Sequence, residues 1–518
     1  MSFESALHSM QGHPWITLIA ALFAYTTLIT LYNLTLHPLA KVPGPRLWVL
    51  TRIPYIRALV RGTFIHDLER LHRMYGPVLR VSPNEVSFAC AEAYNEILQP
   101  RPTRYFQKDP IWWDSLAGKE KWVGNLYGAA EHSHARRFLA AGFTPRALKA
   151  QEPILQRYAN LLIERLGEKI GRRNSVTGAG KHGADIDIVP WMNFTTFDIF
   201  GDLSFGESFE CLQETQYHPW ISMMFAHVKV ASVIAATTFY PWMNWALMKC
   251  IPKSTRELQR RHHEMIKDKV KRRLNWELER PDIMSYVVGN GSEKKQMGGM
   301  SFDQLSTAFS HLAIAGSETT ATALNGTINY LVQTPDKLGR LVDEIRGSFT
   351  NMDDISLDSL RGLPYLNAVL NEGLRLCPPI PWIPGRLAPA EGASACGYFL
   401  PGGTHVSIQS YTLNRDPKYF TNPKSFAPER WLPECKEDPH SLYYNDNLKA
   451  LHPFAAGPRA CLAQNLAWSE MRLVLAKLMW AFDFSAVEDR QVSWEDLRTY
   501  LLVEKVPIVV NIKQRGDL

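Results

Sequence analysis

The chain predicts a mainly α-helical body with small peripheral β-sheets, carried behind a single-pass apolar helix near its amino terminus. Long stretches with apolar residues at three-and-four spacing, at 302–334, 363–376 and 463–482, predict the helices. Strand-like runs are short and few: 78–81 with 85–88, 404–408 and 508–512. The third observation is an uncharged amino-terminal segment, with no Asp, Glu, Lys or Arg from Pro14 to Leu36.

That segment is apolar apart from threonines over WITLIAALFAYTTLITL, and a helix over about 15–34 spans the roughly 30 Å hydrocarbon core of a bilayer. A cleaved signal peptide is the competing reading, but the segment lacks a basic leader and a small-x-small cleavage site. Lys41, Arg46, Arg52, Arg57 and Arg61 follow it and only Glu4 precedes it, so the positive-inside rule puts the body in the cytosol. The sequons at Asn33 and Asn193 then escape glycosylation. Residues 1–36 are read as a membrane anchor, 37–46 (with VPGPR) as a proline-rich hinge, and 47–518 as one catalytic domain.

Within the body, stretches 174–183 and 289–299 read as surface loops, and 253–273 (KSTRELQRRHHEMIKDKVKRR) as a solvated basic helix. Residues 230–247 (VASVIAATTFYPWMNWAL) are rich in apolar and aromatic side chains. They read as a membrane-dipping substrate entrance or, nearly as well, as packed core. No repeat is visible, which excludes solenoids and propellers. A net charge of +6 over 518 residues, without a long like-charged run, argues against a nucleic-acid partner. The 7 cysteines form no CxxC pair and fit free thiols in a reducing compartment.

The chemistry is concentrated in 454–463, FAAGPRACLA, which leads from a loop into a helix. A cysteine at a helix amino terminus gains from the dipole and from backbone N–H groups aimed at its sulfur, both of which favour the thiolate. Gly457 permits a tight turn, and Arg459 offers a fork for a carboxylate. Upstream, Glu372 and Arg375 share a helix face, and Arg430 follows in PERW. The segment AGSETT, with Gly316 and adjacent threonines Thr319 and Thr320, is locally weak inside a strong helix, as functional sites are. A bent helix with a back-bonded threonine is the structural alternative.

Together these segments resemble the cytochrome P-450 superfamily. Phe454, Gly457, Arg459 and Cys461 match its haem signature FxxGxRxCxG, and Ala463 stands where the last glycine is usual. The resemblance implies the cytochrome P-450 fold and haem b as cofactor, with Cys461 as the axial thiolate and metal ligand. It also implies a buried Glu372–Arg375–Arg430 network, and Glu318 and Thr319 as the catalytic proton relay. His132 and Arg136, at the HxxxR spacing of fungal members, and Arg386 after PPIPWIPG are implied to bind the haem, with His134 competing with His132. Likeness over the whole chain is to fungal membrane-bound members that tailor secondary metabolites, including the trichothecene-hydroxylase-like group.

The implied activity is a monooxygenase acting on a lipophilic small molecule, with electrons from NADPH through a cytochrome reductase. The chain has no dinucleotide motif of its own, so those electrons come from a partner. The expected state is a monomer on the endoplasmic reticulum membrane. Family position implies pocket walls at Trp112, Trp113, His311, Ala315, 380–383, Leu501 and Leu502, all of which read equally well as core. A haem-thiolate isomerase or coupling enzyme and a non-catalytic haem protein are the alternatives, against which the intact Glu318 and Thr319 argue.

Overall fold

The computed structural model describes residues 14–100, 105–117, 121–177, 183–276, 280–289 and 300–516. Its helices of ten residues or more are α1 (Pro14–Leu31), α2 (Phe64–Tyr75), α3 (Ala129–Ala140), α4 (Pro145–Thr177), α5 (Ile188–Phe205), α6 (Pro219–Thr238), α7 (Pro241–Cys250), α8 (Lys253–Leu274), α9 (Phe302–Gln333), α10 (Pro335–Ser348), α11 (Pro364–Leu376) and α12 (Gln464–Ala481). The strands are β1 (Val78–Ser82), β2 (Glu85–Phe88), β3 (Gln107–Lys108), β4 (Ala184–Asp187), β5 (Ile383–Leu387), β6 (Ala393–Ala395), β7 (Tyr398–Leu400), β8 (His405–Ile408), β9 (Phe482–Ala486) and β10 (Val509–Gln514). They form a five-stranded sheet in the order β1-β2-β8-β5-β3, a three-stranded sheet β4-β10-β9 and the hairpin β6-β7.

The apolar helix continues through a π turn, Tyr32–Leu36, and the span Trp15–Leu36 is exposed along nearly all its length, Asn33 being the residue in it that is buried. At 1.5 Å per residue it is about 33 Å long, enough to cross a bilayer. Its inner end is bolted down: Arg80, on β1, donates to the Asn33 carbonyl at 2.8 Å. The proline segment lies flat on β1, where Arg80 N–H donates to Pro43 O at 2.7 Å and a Cβ on Gly44 would meet Arg80 O at 2.3 Å. That contact fixes the chain leaving the apolar helix against the first strand of the sheet.

The centre of the body is α9, capped by Ser301 and Gln304 in a reciprocal box and buried over most of its length. Close approach makes that packing possible. A Cβ on Gly316 would lie 2.1 Å from the Phe200 ring of α5, and one on Gly373 of α11 would lie 2.0 Å from Thr327 Oγ1 of α9. The glycine of AGSETT therefore admits Phe200. Asn193 is also core, donating to Tyr217 at 2.8 Å.

Two expectations divide. The helix α4 continues to Thr177, so 174–177 is helical rather than loop; the glycines of GAG come only after it, and until then nothing in the sequence stops the helix. The remainder of that stretch, 178–182, and residues 290–299 of the second expected loop lie outside the described residues. Over 230–247, Ala231, Ala235 and Ala236 are buried on the inner face of α6, whereas α7 buries no residue and leaves Trp242 and Trp245 exposed. The basic helix α8 is solvated, with Glu257 bridging Arg260 and Arg261, but Ile266 and Val270 are buried and Arg273 reaches the buried Asp282 at 2.8 Å.

Candidate functional site

Cys461 sits in a loop that ends three residues later in α12. Its N–H donates to Phe454 O at 2.9 Å, which closes the loop into a tight turn. Ala455 and Gly457 both have positive φ, +59° and +75°. Gly457 is further constrained because a Cβ there would meet Leu98 O at 2.3 Å. Phe454 packs on Trp468 of α12, 6.1 Å between centroids. Ala463 is the N-cap with φ −93°, a conformation any residue adopts, so alanine stands there without backbone strain.

Cys461 is open to solvent on one side and crowded by protein elsewhere, and that crowding pushes its thiol up; the Ala463 N–H and Arg136 act in the opposite direction. Arg136, on α3, also donates to Ala460 O at 2.7 Å and so ties that helix to the cysteine loop. A thiolate here is completed by a positive centre on its open side.

Beside the loop is a cluster of cations. Lys108 on β3 and Arg386 on β5 are directly opposed in the sheet, an arrangement that like charges disfavour. Arg459 donates to Leu126 O at 2.7 Å, Tyr127 O at 2.9 Å and Tyr105 Oη at 3.0 Å. His132 is buried among them and pushed down to about 4, first by burial and then by Arg459, Lys108, Arg136 and Arg386. Burial, then Arg386 and Arg459, holds the Lys108 ammonium well below its ordinary range; burial, then Arg459, brings Arg386 down to about 10. Arg386 Nε is buried with no hydrogen-bond partner, and none of these cations forms an ion pair among the described residues. Such a set requires anions. The carboxylates of a haem would fit it, with Cys461 near enough in the fold to offer its sulfur to the same group. His134 is exposed and rests edge-on against Phe138, so the histidine in the cluster is His132.

In the middle of α9, His311, Ala315 and Thr319 keep accessible surface, spaced by four on one face, with the partly buried Ile314 and Gly316 beside them. Thr319 Oγ1 donates to Ala315 O at 2.6 Å, the back-bond that a helix threonine makes by default. Thr320 donates to Gly316 O at 3.0 Å and also meets the carboxyl of Glu470, which burial pushes up to about 8. Glu318 points to another face and is buried. Lys505 donates to its Oε1 at 2.5 Å and to Thr322 Oγ1 and Asn193 Oδ1 at 3.1 Å each. Burial raises the Glu318 carboxyl above its usual range despite Lys505, and its Oε2 has no partner. The two relay candidates are thus adjacent in sequence but not hydrogen-bonded to each other.

The Glu372–Arg375–Arg430 set is brought together and fully buried. Arg375 binds Glu372 through both nitrogens of its fork, at 2.7 and 2.8 Å, and Arg430 Nε reaches the same carboxylate at 3.1 Å. Ala427 N–H and Trp431 Nε1 also donate to it, at 2.9 and 2.8 Å, and Asp446 pairs with Arg430. Burial alone would raise Glu372, but Arg375 and then Arg430 hold it below the usual carboxylate range.

Of the expected pocket walls, Trp112 is core, packed edge-on against the buried Trp382 at 4.9 Å beside Phe64. A tryptophan that large finds more apolar contact inside the α2 cluster than on a cavity wall. His311 is partly open and stacks on Trp122 at 4.4 Å, while Ile380, Leu501 and Leu502 keep accessible surface. Sequence reasoning did not single out Lys108, Lys505 or Trp122, whose neighbours carry no motif.

The cytochrome P450 family model matches residues 42–512. Averantin hydroxylase of Dothistroma septosporum is 37% identical over 99% of this chain and 94% of its own length. The trichothecene C-15 hydroxylase of Fusarium sporotrichioides is 37% identical over 95% and 96%. The cytochrome P450 monooxygenase astJ of Aspergillus oryzae is 37% identical over 94% of each chain. With the family matched across the whole body and relatives aligned along nearly the full length, the chain belongs to the cytochrome P450 family, as a monooxygenase with a haem held by a cysteine thiolate.

Proposed function

We propose that the protein inserts one atom of dioxygen into a lipophilic fungal secondary-metabolite intermediate, using electrons from NADPH delivered by a separate reductase. The observation that carries this is the anion-free cluster of the buried Lys108, Arg386 and His132 with the half-buried Arg459, beside the open sulfur of Cys461. Two of the relatives are named as hydroxylases of different compounds, averantin and a trichothecene at C-15. What they share is hydroxylation, and that part is carried over here.

In this reading, haem supplies dioxygen binding and reductive cleavage of its O–O bond. Cys461 would hold the haem iron through its sulfur, on which Arg136 and the Ala463 N–H would stabilise negative charge. Arg459, Arg386 and Lys108 would hold the propionates, with His132 as a further donor. Gly457 and Phe454 shape the loop under the cofactor. The substrate lies along the His311, Ala315 and Thr319 face. There the Thr319 hydroxyl oxygen accepts one proton and passes on its own to the reacting oxygen, giving up its bond to Ala315 O as it does so. Glu318, raised by burial, carries the next proton and reloads Thr319 once Lys505 releases it.

Residues 1–36 anchor the protein in the endoplasmic reticulum membrane, 37–46 set the body's angle, and 47–518 act as one monomeric cytosolic catalytic domain. Trp242 and Trp245 of α7, exposed on a helix that buries nothing, dip into the lipid and admit substrate from it.

The test supplies microsomes carrying the full chain with reductase, NADPH, isotopically labelled dioxygen and the metabolite that accumulates when the gene is deleted. One labelled oxygen atom per NADPH in the product is expected. Thr319→Ala should bind haem normally and consume NADPH while diverting flux to hydrogen peroxide, since positioned acid–base groups contribute about 10²- to 10⁴-fold. Turnover without NADPH would instead select the isomerase reading.

A further inference from the structure

Away from the haem site, two cysteines that the mechanism does not use lie against each other. Cys90 follows β2, and Cys396 occupies the turn of the β6-β7 hairpin; their sulfurs are 3.1 Å apart. We propose that Cys90 and Cys396 are a peroxide-responsive dithiol that closes reversibly into a disulfide.

Each partner is held by its own surroundings. Cys396 and Gly397 form the two-residue turn with φ of +47° and +83°, the conformation such hairpins demand and one that a cysteine seldom adopts. The Cys396 N–H donates to Glu96 Oε2 at 2.8 Å, which pins the turn to the short helix Glu92–Ile97. On the other side, Ala89 N–H donates to Pro77 O at 2.8 Å and Ala93 N–H to Cys90 O at 3.2 Å. Bond formation requires the sulfurs to close by about 1 Å, to the 2.05 Å of a disulfide. Side-chain rotation supplies that movement.

Accessibility separates their roles. Cys90 is buried, whereas Cys396 is partly open. Hydrogen peroxide, the oxidant, reacts at Cys396: the sulfur takes one oxygen to become a sulfenic acid and one water leaves. The Cys90 sulfur then attacks the Cys396 sulfur, its proton leaves with the hydroxyl as a second water, and the S–S bond forms. Two thiols and one peroxide thus give one disulfide and two waters. Cellular thiols reverse the reaction by exchange.

The link would tie the hairpin to the segment whose next turn ends at Leu98, the residue whose carbonyl abuts Gly457 of the cysteine loop. Oxidation at this pair therefore braces the wall behind the haem ligand. A haem enzyme that leaks peroxide would be the first protein exposed to it.

The test treats the full-length holoenzyme with rising hydrogen peroxide, alkylates it, and maps the cysteines by mass spectrometry without reduction. The expected result is joint loss of the Cys90 and Cys396 thiols into one linked peptide pair, reversed by glutathione, at peroxide levels where exposed Cys250 gives only oxygenated forms. Oxidised holoenzyme should also release haem more slowly than reduced holoenzyme. Cys90→Ser should leave Cys396 as a sulfenic acid trapped by dimedone; if that variant fails to fold, Cys396→Ser should leave the buried Cys90 an unoxidised thiol at the same peroxide level. Both thiols staying alkylatable after Cys250 is consumed would overturn the proposal, as would either one linking to Cys435 instead.

Discussion

Two groups of buried charges in this protein are built on opposite terms. Around Glu372, opposite charges and backbone carbonyls satisfy Arg375 and Arg430 completely, and the Trp431 indole donates to the Glu372 carboxylate. Around Arg386, like charges face one another across a sheet and one guanidinium nitrogen has no partner. A closed network of buried charge holds the fold together by itself. A buried cluster of one sign is stable only with a ligand of the other sign, and that contrast distinguishes structural charge from binding charge more sharply than burial does.

Removing charge should therefore have opposite consequences in the two places. Glu372→Gln strands two buried guanidinium groups, and stability should fall by about 3–5 kcal/mol, read as loss of folded, haem-loaded protein on denaturant titration. A loss below about 1 kcal/mol would mean that the network is dispensable.

The second group should reveal itself through pH. In the folded, haem-free chain His132 is pushed down to about 4, against about 6.5 unfolded. Between those values the unfolded chain takes up a proton that the folded chain refuses. Stability should thus fall as pH drops from about 6.5 to 4, by up to about 3 kcal/mol. His132→Asn should remove that slope, and haem should flatten it, because propionates favour the charged imidazole. A slope of equal size with and without haem would separate His132 from the propionates.

A smaller effect is expected at Lys108. In Lys108→Met the haem-free protein should lose no stability, since one of two opposed cations is gone, while haem binds about tenfold more weakly. The contrast would fail if haem-free stability dropped by more than about 2 kcal/mol and haem affinity did not change.

The same contrast explains what the sequence could tell. Glu372 and Arg375 are one helical turn apart, and Cys461 lies in a ten-residue segment, so local spacing carried both. The strands β1, β2, β8 and β10 were visible as β-branched or alternating runs, whereas β3 to β7 and β9 are two to five residues long and carry too little pattern to stand out. Lys108 acquires its meaning from Arg386, and Lys505 from Glu318, 187 residues away, and no local pattern records such meetings. His132 and His134 looked equivalent in EHSH until the helix turned one into the cation cluster and the other to solvent. Trp112 read equally as cavity wall or core, and the α2 cluster takes it as core. The motif glycines were legible as glycines but not for their reasons: Gly316 yields to Phe200, and Gly457 to the Leu98 carbonyl.

The central claim is that Cys461 completes the site whose cations await the haem carboxylates. Its most direct measurement is the absorption spectrum of the reduced carbon monoxide complex in wild type and Cys461→Ser, each checked for folding by thermal melting. The wild type should give the red-shifted Soret band of a thiolate-ligated haem, and Cys461→Ser should lose that band while keeping its fold. Survival of the band in the folded variant would show that another residue ligates the iron.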